Sequence, residues 1–249
     1  MTIISFEHRF VFVKTRKTAS TSLEAFLRRY TVAGDVVTQL TPRDEKWCVE
    51  RGWCSCNYAA DPEVERAYMQ LCMDDCFDEA MRYIRSAKRL YVGHMPASKI
   101  KRLLEGNGYR WEDFHFFTVE RHPYSWLLFV LLYNNSAYHE RGACEIDLND
   151  INERARAFIE SEGFLQRLNS NLYTEEGRLL VKDVMRYENL QEDLARMLTP
   201  LVGTPDMSEF PFLKKNAQHL SPTDVFDVKT LELLRRKAEP VLQLAGYER

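Results

Sequence analysis

Apolar and polar positions along the chain alternate between short strand patterns and longer helical patterns. Apolar runs predict strands at 3–13, 36–40, 89–92, 114–119 and 181–187. Helical spacing predicts helices at 22–30, 63–86, 99–104, 124–133, 151–168, 190–198 and 228–244, the last kinked at Pro240, with 41–62 irregular. Strands that alternate with helices predict an α/β fold, a central parallel β-sheet flanked by helices, in one domain, 1–249.

Polar residues follow three of the predicted strands, at 14–22, at Gly93–His94 and at Glu120–Arg121. Ligands of α/β folds bind at the carboxyl ends of parallel strands, so we expect these segments to share one edge of the sheet. The first segment also opens a predicted helix, for which Ser20 or Thr21 is the expected cap.

This first segment combines cations with hydroxyls: Lys14, Arg16 and Lys17 with Thr15, Thr18, Ser20, Thr21 and Ser22. A helix N-terminus has unpaired N–H groups and a favourable dipole, so phosphate or sulfate is the expected guest. Residues 10–30 contain no glycine, and the chain has no G-x-x-x-x-G-K-[ST] motif of Walker A loops. The alternative is a capped strand-to-helix turn with solvated lysines.

Charge and hydropathy exclude several classes of protein for this 249-residue chain. A net charge of −3 gives no general electrostatic attraction to nucleic acid. No run of 18 apolar residues predicts a membrane span. Glu7, His8 and Arg9 interrupt any signal-peptide core. We therefore expect a soluble, cytoplasmic protein with no nucleic-acid or membrane partner.

The chain has six cysteines, at 48, 54, 56, 72, 76 and 144. Their spacing fits no paired C-x-x-C zinc pattern, although Cys72 and Cys76 stand one turn apart on a predicted helix. Buried free thiols are the favoured interpretation, and a zinc site is the alternative.

Four motifs resemble those of the sulfotransferases that use 3′-phosphoadenosine 5′-phosphosulfate. "KTASTSLE" closely resembles their 5′-phosphosulfate loop, most of all in the carbohydrate O-sulfotransferase branch. "YVGHMP" resembles the segment with the catalytic histidine of uronyl 2-O-sulfotransferases. "FFTVERHPYSWLLFVLLY" resembles the 3′-phosphate segment, and "VMRYENLQEDL" resembles a later strand-to-helix joint.

The resemblance implies a P-loop-NTPase-like sulfotransferase fold and transfer of a sulfuryl group to a hydroxyl of a carbohydrate or small molecule. Adenosine 3′,5′-bisphosphate would be the product, and no metal would be required. Lys17 would stabilise the leaving phosphate, and Arg121 would bind the 3′-phosphate. The 5′-phosphate would be bound by the rest of the first segment: Lys14, Thr18, Ala19, Ser20, Thr21 and Ser22.

The acceptor hydroxyl must lose its proton when it receives the sulfuryl group, and histidine is the side chain whose ordinary pKa suits that task. The resemblance makes His94, which follows a short predicted strand and a glycine, the expected general base, whereas its residue environment alone favours a structural role. His122, next to Arg121, is the rival, and a hydrogen-bonded structural role is the alternative for either histidine.

Two positions depart from the family pattern. Arg16 stands where the family often has proline, and Phe129 stands where it usually has a serine for the 3′-phosphate; Ser125 lies one helical turn earlier. Two other functions therefore stay open: a nucleotide kinase or phosphotransferase, and a non-catalytic nucleotide-binding protein. Segments 41–88 and 134–178 are expected to be acceptor-binding insertions.

Overall fold

A computed structural model describes residues 2–133, 147–213 and 220–247. The chain begins with an antiparallel hairpin of β1 (Thr2–Ser5) and β2 (Phe10–Val13), in which Thr2 faces Val13. The predicted single strand over 3–13 is therefore wrong. The chain reverses over residues 6–9, where Arg9 adopts the left-handed conformation with φ 54°.

The main sheet has five strands in the order β3–β1–β2–β4–β7, with β3 at Val36–Val37, β4 at His115–Glu120 and β7 at Asp183–Arg186. β2, β4 and β7 are parallel neighbours, whereas β1 pairs antiparallel with both β2 and β3. The expected parallel sheet is thus corrected to a mixed sheet, because the β1–β2 hairpin inserts one reversed strand. A separate hairpin joins β5 (Thr174–Glu175) and β6 (Arg178–Leu179).

Helices cover both faces of this sheet. Those before β4 are α1 (Ser20–Leu27), α2 (Pro42–Val49), α3 (Pro62–Met73), α4 (Phe77–Ser86) and α5 (Ala97–Gly106). Those after β4 are α6 (Pro123–Tyr133), α7 (Leu148–Glu160), α8 (Gly163–Arg167), α9 (Ser170–Tyr173), α10 (Leu190–Val202), α11 (Pro222–Val225), α12 (Val228–Lys237) and α13 (Glu239–Leu244). Short 3-10 helices lie at Arg28–Tyr30, Trp111–Asp113, Tyr187–Asn189 and Met207–Glu209.

Three predicted helices are divided in the structure. The helix expected at 63–86 is broken where Asp75 adopts φ 60°, and the one at 151–168 is broken after Glu160. The helix expected at 228–244 stops at Ala238, and Pro240 lies in the first turn of α13. Proline is well tolerated there because the first N–H groups of a helix have no intrahelical partner, so it begins a helix here and does not kink one.

Two predictions between β3 and β4 also need correction. Residues 41–62 were expected to be irregular, but Pro42 opens α2 at a position that suits proline. Residues 89–92 were expected to form a strand, but Arg89 makes only an isolated antiparallel bridge to Ala59.

The alternation of β1 and β2 residues divides the core between the two sheet faces. Ile4 and Val11 face a cluster that includes the fully buried Tyr58 and Tyr68. Ile3, Phe10 and Phe12 face the other cluster, with Leu23, Phe26 and Leu194. A third cluster joins α6, α7 and α12 beside the sheet. Across the described residues, no helix is both long and apolar enough to cross a membrane.

A buried ion pair connects the end of α1 to α2. The Arg28 guanidinium donates to both Glu45 oxygens, at 3.0 and 2.8 Å, and both side chains are fully buried. Arg28 also donates to the carbonyls of Trp53 and Thr38. Glu45 further accepts from the N–H groups of Leu40 and Ser55, so the pair fixes the chain around α2 against α1.

Candidate functional site

The carboxyl ends of β2, β4 and β7 lie side by side, because these strands are parallel neighbours. The loops that follow them begin at Lys14, Arg121 and Tyr187. A fourth segment reaches the same edge, where the Thr2 hydroxyl donates to the Val92 carbonyl at 3.2 Å. The structure therefore brings the three segments identified in the sequence to one edge of the sheet, although Gly93–His94 does not follow a strand there.

Residues 14–19, here called the cradle loop, join β2 to α1. Lys17 and Ala19 both adopt the left-handed conformation, with φ 64° and 53°. Ala19 is the N-cap residue of α1, and no side chain caps the helix, so the expected cap by Ser20 or Thr21 is wrong. The first N–H groups of α1 therefore lack intrahelical partners at the point where the cradle loop ends, which is the geometry that binds an anion.

Several hydroxyls of this segment are used inside the protein. Thr15 donates to the Val119 carbonyl, and the hydroxyls of Thr15 and Thr18 lie 2.9 Å apart, so Thr18 is the donor in that pair. The Ser22 hydroxyl bonds to both the N–H and the carbonyl of Leu213. Thr18 and Ser22 therefore offer a ligand mainly their backbone N–H groups, whereas Ser20 and Thr21 stand at the start of α1.

The cations of the site have different surroundings. The Lys14 ammonium donates to the buried carboxylate of Glu24 at 2.9 Å, so a carboxylate compensates its charge. Lys17 Nζ lies 5.4 Å from the centre of the Phe129 ring, and the Arg121 guanidinium lies 5.2 Å from the same ring. Phe129 therefore contacts both of the predicted phosphate-binding cations through cation–π interactions.

Arg121 is held on two further sides. Its guanidinium lies 4.3 Å from the centre of the Tyr187 ring, and its Nη1 donates to the Lys17 carbonyl at 3.4 Å. Burial lowers the pKa of Arg121, although an arginine remains charged at any working pH. Arg121 is thus fixed against the cradle loop, on the side of β4 and β7.

His94 contacts the cradle loop on the side of β1. Its Nδ1 lies 3.3 Å from the Lys14 carbonyl oxygen. A carbonyl oxygen only accepts, so Nδ1 carries the hydrogen and the lone pair of the neutral ring is on Nε2. Burial, helped by Lys14 and Arg16, lowers the pKa of His94 to about 2. The ring is therefore neutral at physiological pH with its lone pair on Nε2, and the lowered pKa makes it a weaker base than an ordinary imidazole.

His122 has a different environment. Its backbone N–H donates to Glu188 at 3.1 Å, and its Nδ1 accepts from the Tyr124 N–H at 3.3 Å. Its ring packs edge-on against Tyr124 and Tyr247. Burial lowers the pKa of His122, opposed by Glu188. These contacts place His122 beside Arg121, whereas His94 is the histidine hydrogen-bonded to the cradle loop.

A buried polar network surrounds Glu120, whose partners Asn169, Tyr173 and Tyr247 were not predicted from the sequence. The Glu120 carboxylate accepts from the Arg121 N–H, from Asn169 Nδ2 and from the Tyr173 hydroxyl, at 2.9, 3.1 and 2.9 Å. The Tyr247 hydroxyl donates to the Glu120 carbonyl. Burial raises the pKa of Glu120 to about 7, against the effect of its three donors. The acidic residue in "TVER", directly after a buried strand, was the available signal.

The described cysteines, at 48, 54, 56, 72 and 76, are all free thiols. Burial raises the pKa of Cys48 and Cys72 to about 12 and that of Cys56 to about 11, so these thiols are poor nucleophiles. No group of three or more His, Cys, Asp or Glu side chains within 2–133, 147–213 and 220–247 has a metal-binding arrangement. Cys144 lies outside the described residues.

Comparison of the chain with protein-family models, with curated proteins and with solved structures gave no match.

Proposed function

We propose that this chain is a sulfotransferase, which moves a sulfuryl group from 3′-phosphoadenosine 5′-phosphosulfate to a hydroxyl of a carbohydrate or small molecule. One observation supports this most: the cradle loop carries Lys17, ends at the uncapped N-terminus of α1, and contacts both Arg121 and the neutral ring of His94. An anion cradle, two cations and a proton acceptor are the parts that in-line transfer between two oxygens needs.

The proposed reaction assigns one task to each part. The N–H groups at the start of α1 and Lys17 bind the 5′-phosphate, and Lys17 stabilises the negative charge that develops as the sulfur–oxygen bond to that phosphate breaks. His94 Nε2 takes the proton of the acceptor hydroxyl while the hydroxyl oxygen forms the new bond to sulfur. Arg121 binds the 3′-phosphate. The products are the sulfated acceptor and adenosine 3′,5′-bisphosphate.

Three finer points belong to the same proposal. We assign the mixed sheet and its flanking helices to a P-loop-like sulfotransferase fold, because β2, the cradle loop and α1 follow one another in the order that this fold requires. Segments 41–88 and 134–178 stay predicted acceptor-binding insertions, although Tyr58 and Tyr68 of the first also fill the core. A cytoplasmic location is also a prediction, which cell fractionation would test.

A non-catalytic nucleotide-binding protein is the second candidate, and Phe129 is the observation that favours it. The ring contacts Lys17 and Arg121 at the position where a phosphate-binding serine is usual in the family. Such a protein would bind the bisphosphate but transfer nothing. A kinase would use the same cradle with ATP, and magnesium-dependent transfer of phosphate would identify it.

A thermal-shift screen with adenosine 3′,5′-bisphosphate, ATP and buffer separates these candidates at the level of binding. A ligand at 100 times its Kd stabilises the folded state by about 2.7 kcal/mol. Mass spectrometry of an acceptor library, incubated with the sulfated donor, then detects transfer. Stabilisation by ATP alone, or by neither nucleotide, would refute the sulfotransferase proposal.

Lys17→Ala tests the catalytic assignment. The variant should lose most of the turnover and keep the melting temperature, because a half-buried loop lysine contributes little to stability. Lys99→Ala, at an exposed position of α5, is the matched control and should behave as the wild type. Turnover of Lys17→Ala equal to that of the control would exclude the assigned role.

A further inference from the structure

The side chain of Asn169 pairs with the backbone of the cradle loop. Asn169 Oδ1 accepts from the Arg16 N–H at 2.8 Å, and Asn169 Nδ2 donates to the Arg16 carbonyl at 3.0 Å. The side chain thus satisfies both backbone groups of one residue, in the way that a neighbouring strand would. Asn169 is 2% exposed, so water cannot easily replace these bonds.

Glu120 fixes the orientation of this amide. Asn169 Nδ2 also donates to Glu120 Oε1 at 3.1 Å. Glu120 Oε1 already accepts from the Arg121 N–H, and the Arg16 N–H can only donate, so the nitrogen of the amide faces Glu120 and the oxygen faces the Arg16 N–H. The Tyr173 hydroxyl and the Arg121 N–H hold the same carboxylate, which therefore joins the cradle loop to Arg121.

The residue that Asn169 holds directly precedes the catalytic lysine. Lys17 begins the left-handed part of the loop, and the preceding Thr15 is tied to the Val119 carbonyl. With Arg16 bonded through both its N–H and its carbonyl, the backbone leading into Lys17 has little freedom to rotate.

We propose that Asn169 is a positioning residue, which holds the cradle loop in the conformation that binds the phosphosulfate group. The inference rests on the proposed function for the identity of the ligand, but the restraint on the loop is independent of it. Asn169 itself touches neither donor nor acceptor in this assignment, and it acts through the backbone of Arg16.

Two substitutions separate positioning from a general contribution to the fold. Asn169→Leu removes both bonds to Arg16. Asn169→Asp keeps the acceptor for the Arg16 N–H but turns a carboxylate oxygen towards the Arg16 carbonyl and towards Glu120. Repulsion between two carboxylates this close raises the pKa of the pair, so a shared proton restores one donor at low pH and is lost at higher pH. The other groups that face Glu120 are Tyr173, Tyr247, Arg121 and Glu188.

The experiment combines hydrogen exchange with calorimetry of adenosine 3′,5′-bisphosphate. Asn171→Leu is the matched control, because Asn171 is an exposed residue of α9, the helix that Asn169 precedes as N-cap, and has a bond to the Leu165 carbonyl. Asn169→Leu should speed amide exchange in the peptide 14–22 and weaken bisphosphate binding about tenfold or more, as expected for two lost hydrogen bonds. Asn169→Asp should bind the bisphosphate more weakly than the wild type at pH 8. At pH 5.5 its affinity should approach that of the wild type at the same pH.

Wild-type exchange and affinity in a folded Asn169→Leu would overturn the proposal. If Asn169→Leu does not fold, Asn169→Asp is the deciding variant. The proposal would then be overturned if the ratio of its bisphosphate affinity to that of the wild type did not change with pH. If the wild type does not bind the bisphosphate, the proposed function fails. Faster exchange confined to 14–22 in Asn169→Leu would then still support the positioning role, and unchanged exchange would overturn it.

Discussion

The neutral ring of His94 should make the fold sensitive to acid in a defined pH range. The pKa of His94 is about 2 in the folded protein and 6.5 for the unperturbed side chain. Below pH 6.5 the unfolded chain therefore binds a proton at this residue that the folded protein does not bind. Its contribution to stability is complete above that pH and is lost progressively as the pH falls towards 2.

The size of the effect follows from the number of protons bound. One proton bound only by the unfolded state changes the free energy of unfolding by about 1.4 kcal/mol per pH unit. When this effect is integrated from pH 7 to pH 5 with the two pKa values above, His94 should lower the free energy of unfolding by about 2 kcal/mol. His94→Gln removes the titrating group and keeps an N–H donor for the Lys14 carbonyl.

Urea denaturation of both proteins at pH 7, 6 and 5 measures this contribution. The loss of stability between pH 7 and pH 5 should be smaller in His94→Gln by about 2 kcal/mol, since the other titrating groups cancel in the comparison. NMR should show no titration of the His94 ring over that range, and turnover should show no acid limb from it. Equal acid sensitivity of the two proteins, or a His94 resonance that titrates near pH 6.5, would refute the reasoning.

Three further predictions concern single side chains. Arg28→Ala should destabilise the fold by about 3–5 kcal/mol in urea denaturation, because it leaves Glu45 buried without its partner. Arg66→Ala breaks an exposed ion pair and should scarcely change the urea midpoint, so similar losses in both variants would contradict this. Arg121→Ala should weaken calorimetric binding of adenosine 3′,5′-bisphosphate far more than that of adenosine 5′-monophosphate, and equal weakening would make Arg121 structural. His94→Ala should reduce turnover by about 10²–10⁴-fold while donor affinity, measured separately, stays constant; a joint loss would make His94 a scaffold residue.

The strands with strong apolar runs and their parallel pairing were predictable, but the reversed strand β1 was not. The run at 114–119 and the apolar residues 10–13 correspond to β4 and β2. The β1–β2 hairpin was missed because residues 6–9 contain no glycine or asparagine to indicate a reversal. Arg9 takes the left-handed position there, a conformation that tertiary contacts impose on a residue that does not favour it.

The sequence also predicted which loops meet, because parallel strands align their carboxyl ends. Lys17 and Arg121 lie at one edge for that reason, whereas His94 reaches the same edge from a segment that is not a strand. Asn169 was missed because it is separated from Arg16 by 153 residues, and a polar residue between two short helices resembles an ordinary surface position. Only the packing of α9 under the cradle loop reveals its partners.

The left-handed residues of the cradle loop have a thermodynamic consequence for association. Lys17 and Ala19 each hold a conformation that costs a non-glycine residue about 1–2 kcal/mol, so the surrounding contacts must confine the loop before any ligand arrives. A glycine-rich loop would adopt these angles without strain but would lose its mobility only when the anion binds. Here that entropy is already lost in the free protein, so binding of the bisphosphate should show a smaller unfavourable entropy than in Ala19→Gly.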